Sequence, residues 1–281
     1  MKTAPVLILG GTGKTGSRIA QLLEEKKWPF RIGSRSGTPA FDWENSATWR
    51  AALEGIASVY LSYYPDLAVP GTADIIHAFV QQAVAVGVER IVLLSGRGEH
   101  EAEACEEVVK KAGVEWTILR CAWFSQNFSE GYLLEPIQAG FVALPADGVR
   151  EPFIDADDIA DVAVAALTEE GHAGELYELT GPRLLTFAEA VAEVASATGR
   201  QIAYQPVSLG DYTNMLKEYG LPDDHVWLIS YLFSEVLDGR NESLTDGVQR
   251  ALKRAPRDFG AYARTTAASG IWDQQPSHPE K

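Results

Sequence analysis

A four-residue apolar run, Val6–Leu9, passes directly into Gly10-Gly11-Thr12-Gly13-Lys14-Thr15-Gly16, and the chain continues as Thr15–Lys27 with Ile19, Leu22 and Leu23 on one helical face. A short, wholly apolar run is a strand buried on both sides, and the amphipathic stretch is a helix that covers one of them. No other feature narrows the fold as much. The glycines select a tight turn of bare backbone with the helix packed close to the strand. Its N–H groups and the helix dipole form an end suited to an anion.

The alternation repeats. Phe30–Ser34, Ser58–Ser62, Ile91–Ser95 and Trp116–Arg120 read as strands, with Ala47–Leu53, Thr72–Val86 and Glu101–Ala112 as the helices between them. Right-handed crossovers then give a doubly wound parallel sheet, a Rossmann-like α/β fold. Further on, Asp157–Leu167 is a helix, Glu175–Leu179 a strand, and Thr186–Ala197 a helix opened by a Thr186/Glu189 capping box. Ile202–Pro206 is extended. From Leu209 the pattern is mostly helical, broken at Gly220–Pro222 and Gly239. The expected organisation is a dinucleotide-binding domain over 1–150, with 151–182 returning to it. A smaller, mostly helical substrate-binding domain over 183–272 and a disordered tail, Asp273–Lys281, complete it.

Acidic residues outnumber basic ones, 39 to 24, and the formal charge is −15. Without a basic patch, such a surface repels polyphosphate and argues against nucleic acid as a partner. Two cysteines, Cys105 and Cys121, make no disulfide framework. Met1–Gly11 lacks the apolar length and cleavage site of a signal peptide, and no run approaches the ~18 apolar residues of a membrane span. These features together point to a cytoplasmic location. No metal is expected. Asp155, Asp157, Asp158 and Asp161 begin a helix, where acids cap and favour the dipole, and the five histidines lack zinc spacing. Hydrolase chemistry has no Gly-x-Ser-x-Gly to rest on.

Gly11, Gly13 and Gly16 fit GxGxxG, and Gly10, Gly13 and Gly16 fit GxxGxxG. A nucleotide-triphosphate loop ending at Gly13-Lys14-Thr15 would need glycine at position 8, which is Ile8. The strand–turn–helix setting therefore favours a dinucleotide. The acid that binds a ribose diol should end the second strand, ~20 residues after the glycines. In its place stand Ser34-Arg35-Ser36, with Arg35 19 residues past Gly16. A guanidinium between two hydroxyls suits a 2′-phosphate, which favours NADP(H) over NAD(H). The competing assignment is a loop arginine stacked on adenine without selectivity.

The chain resembles the NmrA-like branch of the atypical short-chain dehydrogenase/reductases, most closely the ergot-alkaloid reductases of the festuclavine-synthase type. The likeness is carried by Gly10–Gly16, Ile32–Ser36, Phe41-Asp42-Trp43, Leu93-Leu94-Ser95, Trp116–Arg120, Trp123–Phe128, Pro152–Asp161, Tyr177–Pro182 and Arg257-Asp258-Phe259. It implies a Rossmann-like domain, NADP(H) and reduction of a small molecule. It also implies roles for single residues: Thr12, Gly13, Lys14 and Thr15 at the cofactor phosphates, and Ser34, Arg35 and Ser36 at the 2′-phosphate. Asp42 and Trp43 would lie near adenine, Tyr63 beside the nicotinamide ribose, Ser95 at the catalytic hydroxyl position, and Asn127 by nicotinamide and substrate.

One element of the parent pattern is missing. None of the ten tyrosines is followed four residues later by lysine, so the Tyr-x-x-x-Lys acid is absent, as is the lysine that related reductases place near Ala102. The remaining candidates are Ser95, which would steady the acceptor, His100, an imidazole at a helix start, and Tyr63. The aromatics Trp123, Phe124, Phe128, Tyr132, Phe141 and Phe153 are divided between an apolar substrate crevice and core. Two functions follow: an NADPH-dependent oxidoreductase that reduces a small planar molecule by direct hydride transfer, as a monomer or homodimer, or a non-catalytic NADP(H)-sensing regulator acting through a protein partner.

Overall fold

The computed structural model describes residues 4–273. In chain order its elements are β1 (Val6–Leu9), α1 (Lys14–Glu25), β2 (Phe30–Gly33), α2 (Trp49–Leu53), β3 (Ser58–Leu61), α3 (Thr72–Ala85), β4 (Arg90–Gly96), α4 (His100–Lys110) and β5 (Glu115–Cys121), then α5 (Leu134–Ala139), β6 (Phe141–Leu144), β7 (Arg150–Glu151), α6 (Ala156–Thr168), β8 (Glu175–Leu179), β9 (Leu185–Thr186), α7 (Phe187–Thr198), β10 (Ala203–Pro206), α8 (Leu209–Glu218), α9 (Asp223–Tyr231), α10 (Gly247–Leu252) and α11 (Phe259–Ala268). The chain divides into two compact units.

The first unit takes the chain through Ala122, Ala156–Thr180 and Thr245–Ala255. Its six strands form one parallel sheet in the order β2-β1-β3-β4-β5-β8. The expected doubly wound sheet is therefore present. Winding reverses between β1 and β3, so the loops leaving these neighbours part in opposite directions at their carboxyl ends. The period-2 alternation of the strands turns Leu7, Leu9, Leu61, Ile91 and Leu93 into one core cluster with Trp49 of α2, Phe79 of α3 and Val109 of α4. Helix α3 commits Ile76, Phe79, Val80 and Ala83 to that core, the i, i+3, i+4, i+7 pattern of one buried stripe.

One buried polar group interrupts this apolar layer. Glu106 of α4, fully buried, accepts from Arg120 of β5 at both oxygens, 2.9 Å from Nε and 2.6 Å from Nη2, and from Ser95 Oγ at 2.7 Å. The forked pairing satisfies a carboxylate that burial would otherwise make very unfavourable.

The second unit comprises Trp123–Asp155, Gly181–Leu244 and the chain from Pro256. These boundaries differ from the expected partition at 150 and 183, because Trp123–Asp155 clusters with the later residues and Thr245–Ala255 with the first unit. The second unit holds two small sheets, parallel β6–β10 and antiparallel β7–β9. Its core is aromatic: Phe128, Phe153, Phe187 and Phe259 pack with ring centroids 5.1–6.2 Å apart. Phe128 and Phe153 are thus core, whereas Phe141 and Tyr132 are exposed. The Thr186/Glu189 capping box opens α7 as expected. Trp272 is fully buried, its indole N–H donating to Phe128 O at 2.8 Å. The expected tail beyond Asp273 lies outside the described residues. No helix among them is long and apolar enough to cross a membrane.

Glu106→Ala should destabilise the protein by about 3–5 kcal/mol in denaturant unfolding, since it removes the forked partner of half-buried Arg120 and leaves that cation only its longer contacts to Glu178 and Glu103, at 3.3 and 3.7 Å. A Glu106→Leu, Arg120→Met double substitution should recover most of that loss. Additive losses in the double-mutant cycle would show the two residues to be uncoupled.

Candidate cofactor and catalytic site

The site grows from the junction of β1 and α1. Gly10 adopts φ +66° and its carbonyl accepts from Gly13 N at 2.9 Å, which closes the turn. A Cβ at Gly16 would stand 2.2 Å from Gly10 O, and one at Gly11 2.7 Å from Ile32 Cγ2. Two of the glycines are therefore imposed by close packing of helix on turn and of turn on β2. Thr12 and Gly13 are exposed at the tip. Gly13 occupies the N-cap of α1 without a side-chain cap, and the first turn contains no acid. Among the described helices of eight or more residues α1 is alone in this: each of the others has a capping side chain or a first-turn carboxylate. The positive end of its dipole is left for an external anion, and the bare backbone of the turn fits a pyrophosphate.

Thr15 can offer a phosphate only its main chain. Its side chain is buried, and its hydroxyl accepts from Tyr60 OH at 2.9 Å, so only its backbone is turned to the helix opening. Lys14 opens α1 half-buried, its carbonyl accepting from Arg18 at 2.6 Å. Arg18 in turn pairs with Asp157 at 2.6 Å.

The second loop leaves β2 at Gly33, where a Cβ would lie 2.6 Å from Leu9 Cδ2. Ser34 O accepts from Gly37 N at 3.0 Å and from Phe41 N at 2.8 Å, folding Ser34-Arg35-Ser36 into a compact loop. Arg35 is exposed at its tip and makes no hydrogen bond or ion pair among the described residues. Asp42 is half-buried. Its carbonyl accepts from Trp49 Nε1 at 2.7 Å and its carboxylate from Glu44 N at 3.1 Å. Trp43 stacks into a cluster with Phe41, Phe79 and Tyr63, its ring 5.0 Å from that of Tyr63. A Cβ at Gly10 would lie 3.2 Å from Ser62 Oγ, so the glycine turn and the loop after β3 are in direct contact. Tyr63 is half-buried beside Thr72, and burial pushes its hydroxyl up from the ordinary tyrosine value.

Of the catalytic candidates, Ser95 is buried at the end of β4, and its hydroxyl donates into the carboxylate of Glu106 at 2.7 Å. His100 is the exposed first residue of α4. Asn127 belongs to the second unit, half-buried in a 3-10 turn over Ser125–Phe128. The acidic run is fully engaged: Asp158 and Asp161 pair with Arg254 at 2.7 and 2.6 Å, Asp157 with Arg18, and Asp155 accepts from Gln126 at 2.7 Å. Both thiols are buried, and burial pushes Cys105 up to about 12.

Sequence reasoning passed over two residues in the same loops. Asp66, in the loop after β3, and Glu99, just before α4, turn their carboxyls to one another. The available signal was position: acids in loops that leave the carboxyl ends of central strands. A cavity of about 760 Å³ also exists, but at the opposite edge of the sheet, between the ends of α1 and α6, the start of β8 and α10. Two of its arginines are paired within the unit, Arg250 with Glu175 and Arg254 with Asp158 and Asp161.

Residues 10–170 match the family described as NAD(P)H-binding. Over 98% of its length the chain is 32% identical to the whole of the uncharacterized oxidoreductase YesF of Bacillus subtilis. It is also 32% identical to festuclavine synthase I of Penicillium roqueforti, covering 92% of this chain and 96% of that one. The fold superposes on an Escherichia coli NADPH-dependent quinone oxidoreductase complexed with NADPH at a TM-score of 0.77 and 22% identity, over 92% and 99% of the two chains. The chain belongs to the NAD(P)H-binding family and is an oxidoreductase.

Proposed function

We propose that the chain is an NADPH-dependent reductase of a small, planar, electron-poor acceptor, of which a quinone or an iminium is the simplest form. The observation that carries this reading is the uncapped, acid-free start of α1, in contact through Gly10 with the loop after β3. In this reading the backbone of Gly10 to Gly16 and the side chains of Thr12 and Lys14 hold the diphosphate. Arg35, with Ser34 and Ser36, takes the 2′-phosphate. Asp42 and Trp43 flank adenine, Tyr63 walls the ribose, and Asn127 is kept as the contact to nicotinamide and substrate that the family resemblance implies. When bound, the reduced nicotinamide supplies a hydride. The protein's part is to hold and orient donor and acceptor and to exclude water.

An iminium is neutralised by hydride alone, and an activated quinone needs only a proton afterwards, so neither requires a tyrosine acid. The Escherichia coli structural neighbour is named for a quinone acceptor, one member of this class. The non-catalytic sensor draws no support from these relatives.

Arg35→Ala should weaken NADPH binding by about 1.5–3 kcal/mol, as for a lost charged hydrogen bond, and leave NADH binding unchanged in calorimetric titration. Equal losses for both nucleotides would remove the 2′-phosphate role. Loss of nicotinamide absorbance in the presence of quinones, iminium ions and azo dyes should reveal sustained turnover with at least one class. Tight NADPH binding without turnover across that panel would favour the sensor, and no binding of any pyridine nucleotide would defeat both.

A further inference from the structure

A quinone that receives a hydride still lacks one proton, and the Ser95 hydroxyl already gives its own to Glu106 as a hydrogen bond. The carboxyl edge of the sheet contains another source. Glu99 is 7% exposed, and its side chain lies over Gly96 at the end of β4, where an added Cβ would stand 2.0 Å from Oε1. Its Oε2 has no hydrogen-bond partner among the described residues. The group facing it is another acid, Asp66, from the loop that begins four residues earlier with Ser62. Asp66 Oδ1 is held by Ala68 N at 2.9 Å.

The charged and titratable groups around the pair do not offset it. Helix α4 contributes Glu101, Glu106 and Cys105, and the end of β5 contributes Cys121. Burial keeps both thiols neutral, and Glu106 is already matched by Arg120. Arg97, two residues before Glu99, pairs with Glu178 at 3.4 Å. Two adjoining carboxyls without a cation between them cannot both ionise, and a single proton shared by the two satisfies each as a hydrogen bond.

We propose that Asp66 and Glu99 hold one shared proton at the carboxyl edge of β3 and β4 and deliver it to the acceptor as that acceptor is reduced. The pair takes the part that tyrosine plays in the parent superfamily, and the delivery rests on the reductase reading above. Burial first, and the charge of Asp66 second, hold Glu99 well above the usual carboxylate range, and burial raises Asp66 as well. The step balances. The acceptor gains two electrons with the hydride, the O–H bond of the pair breaks, an O–H bond forms on the acceptor oxygen, and the pair, one charge more negative, recovers its proton from water.

Infrared difference spectra of the wild-type protein at neutral pH, without nucleotide, should contain a protonated-carboxyl band that moves in heavy water. Glu99→Gln should abolish it. With a quinone as acceptor, the same substitution should lower kcat by roughly 10²–10⁴-fold, the usual range for a lost proton donor, with NADPH affinity unchanged. Glu99→Asp, which keeps a carboxyl, should recover part of the rate. Asp66→Asn removes the neighbouring charge and should move the alkaline limb of the kcat profile to lower pH.

Stability gives a second readout. The folded chain keeps a proton that the unfolded chain releases above the ordinary glutamate range. Wild-type Tm should therefore fall as pH rises past that range, and the fall should be shallower in Glu99→Gln. Absence of the infrared band in the wild-type protein overturns the shared proton. A band together with wild-type kcat in Glu99→Gln overturns the delivery. A wild-type protein that shows the band yet reduces no quinone, iminium or dye overturns the reductase reading instead.

Discussion

The approach of Gly16 to the carbonyl of Gly10 is the contact on which the first unit depends. It brings α1 onto the turn closely enough for the helix to begin directly over the end of β1. With any side chain at position 16 the helix would have to withdraw, and the anion-binding end would move away from the strand edge where the sheet reverses direction. Gly11 and Gly33 impose the same kind of closeness on the next strand, through Ile32 and Leu9. This end of the first unit is thus built by removal of side chains, and what it presents is main-chain groups.

The carboxyl edge of the sheet carries a different kind of polarity from its interior. Inside, Glu106, Arg120 and Ser95 form a network in which each charged group has a partner, extended by Glu178 and Glu103 on Arg120 and by Lys110 on Glu106, so it holds α4 against β4 and β5. At the edge, Arg35 is exposed without a partner among the described residues and Glu99 is buried with an oxygen unmatched. Satisfied groups build the scaffold. Groups that the fold leaves unsatisfied are where binding and proton transfer have room to act.

Much of this was legible in the residues. Wholly apolar strands, the glycine turn and the Thr186/Glu189 box specify their own local geometry, so the six-stranded sheet and α7 appear where the pattern places them. What could not be read was direction. Ser95 ends a strand at the position a catalytic hydroxyl would take, but period-2 alternation turns it to the α4 face, where Glu106 is waiting. Thr15 is turned inward to Tyr60 by the same logic of a helix face. Asp66 and Glu99 lie 33 positions apart, and only the parallel pairing of β3 with β4 makes them neighbours. The division into units was also hidden, since Thr245–Ala255 returns to a sheet that the chain left at Thr180.

The bare opening of α1 has a consequence for how long the protein lasts. A helix that brings no side-chain cap of its own leaves the N–H groups of its first turn to be satisfied from outside, and a ligand that binds only the folded form stabilises it by about 2.7 kcal/mol at a hundred times its Kd. A nucleotide seated on this turn would therefore act on the stability of the fold as well as on its chemistry.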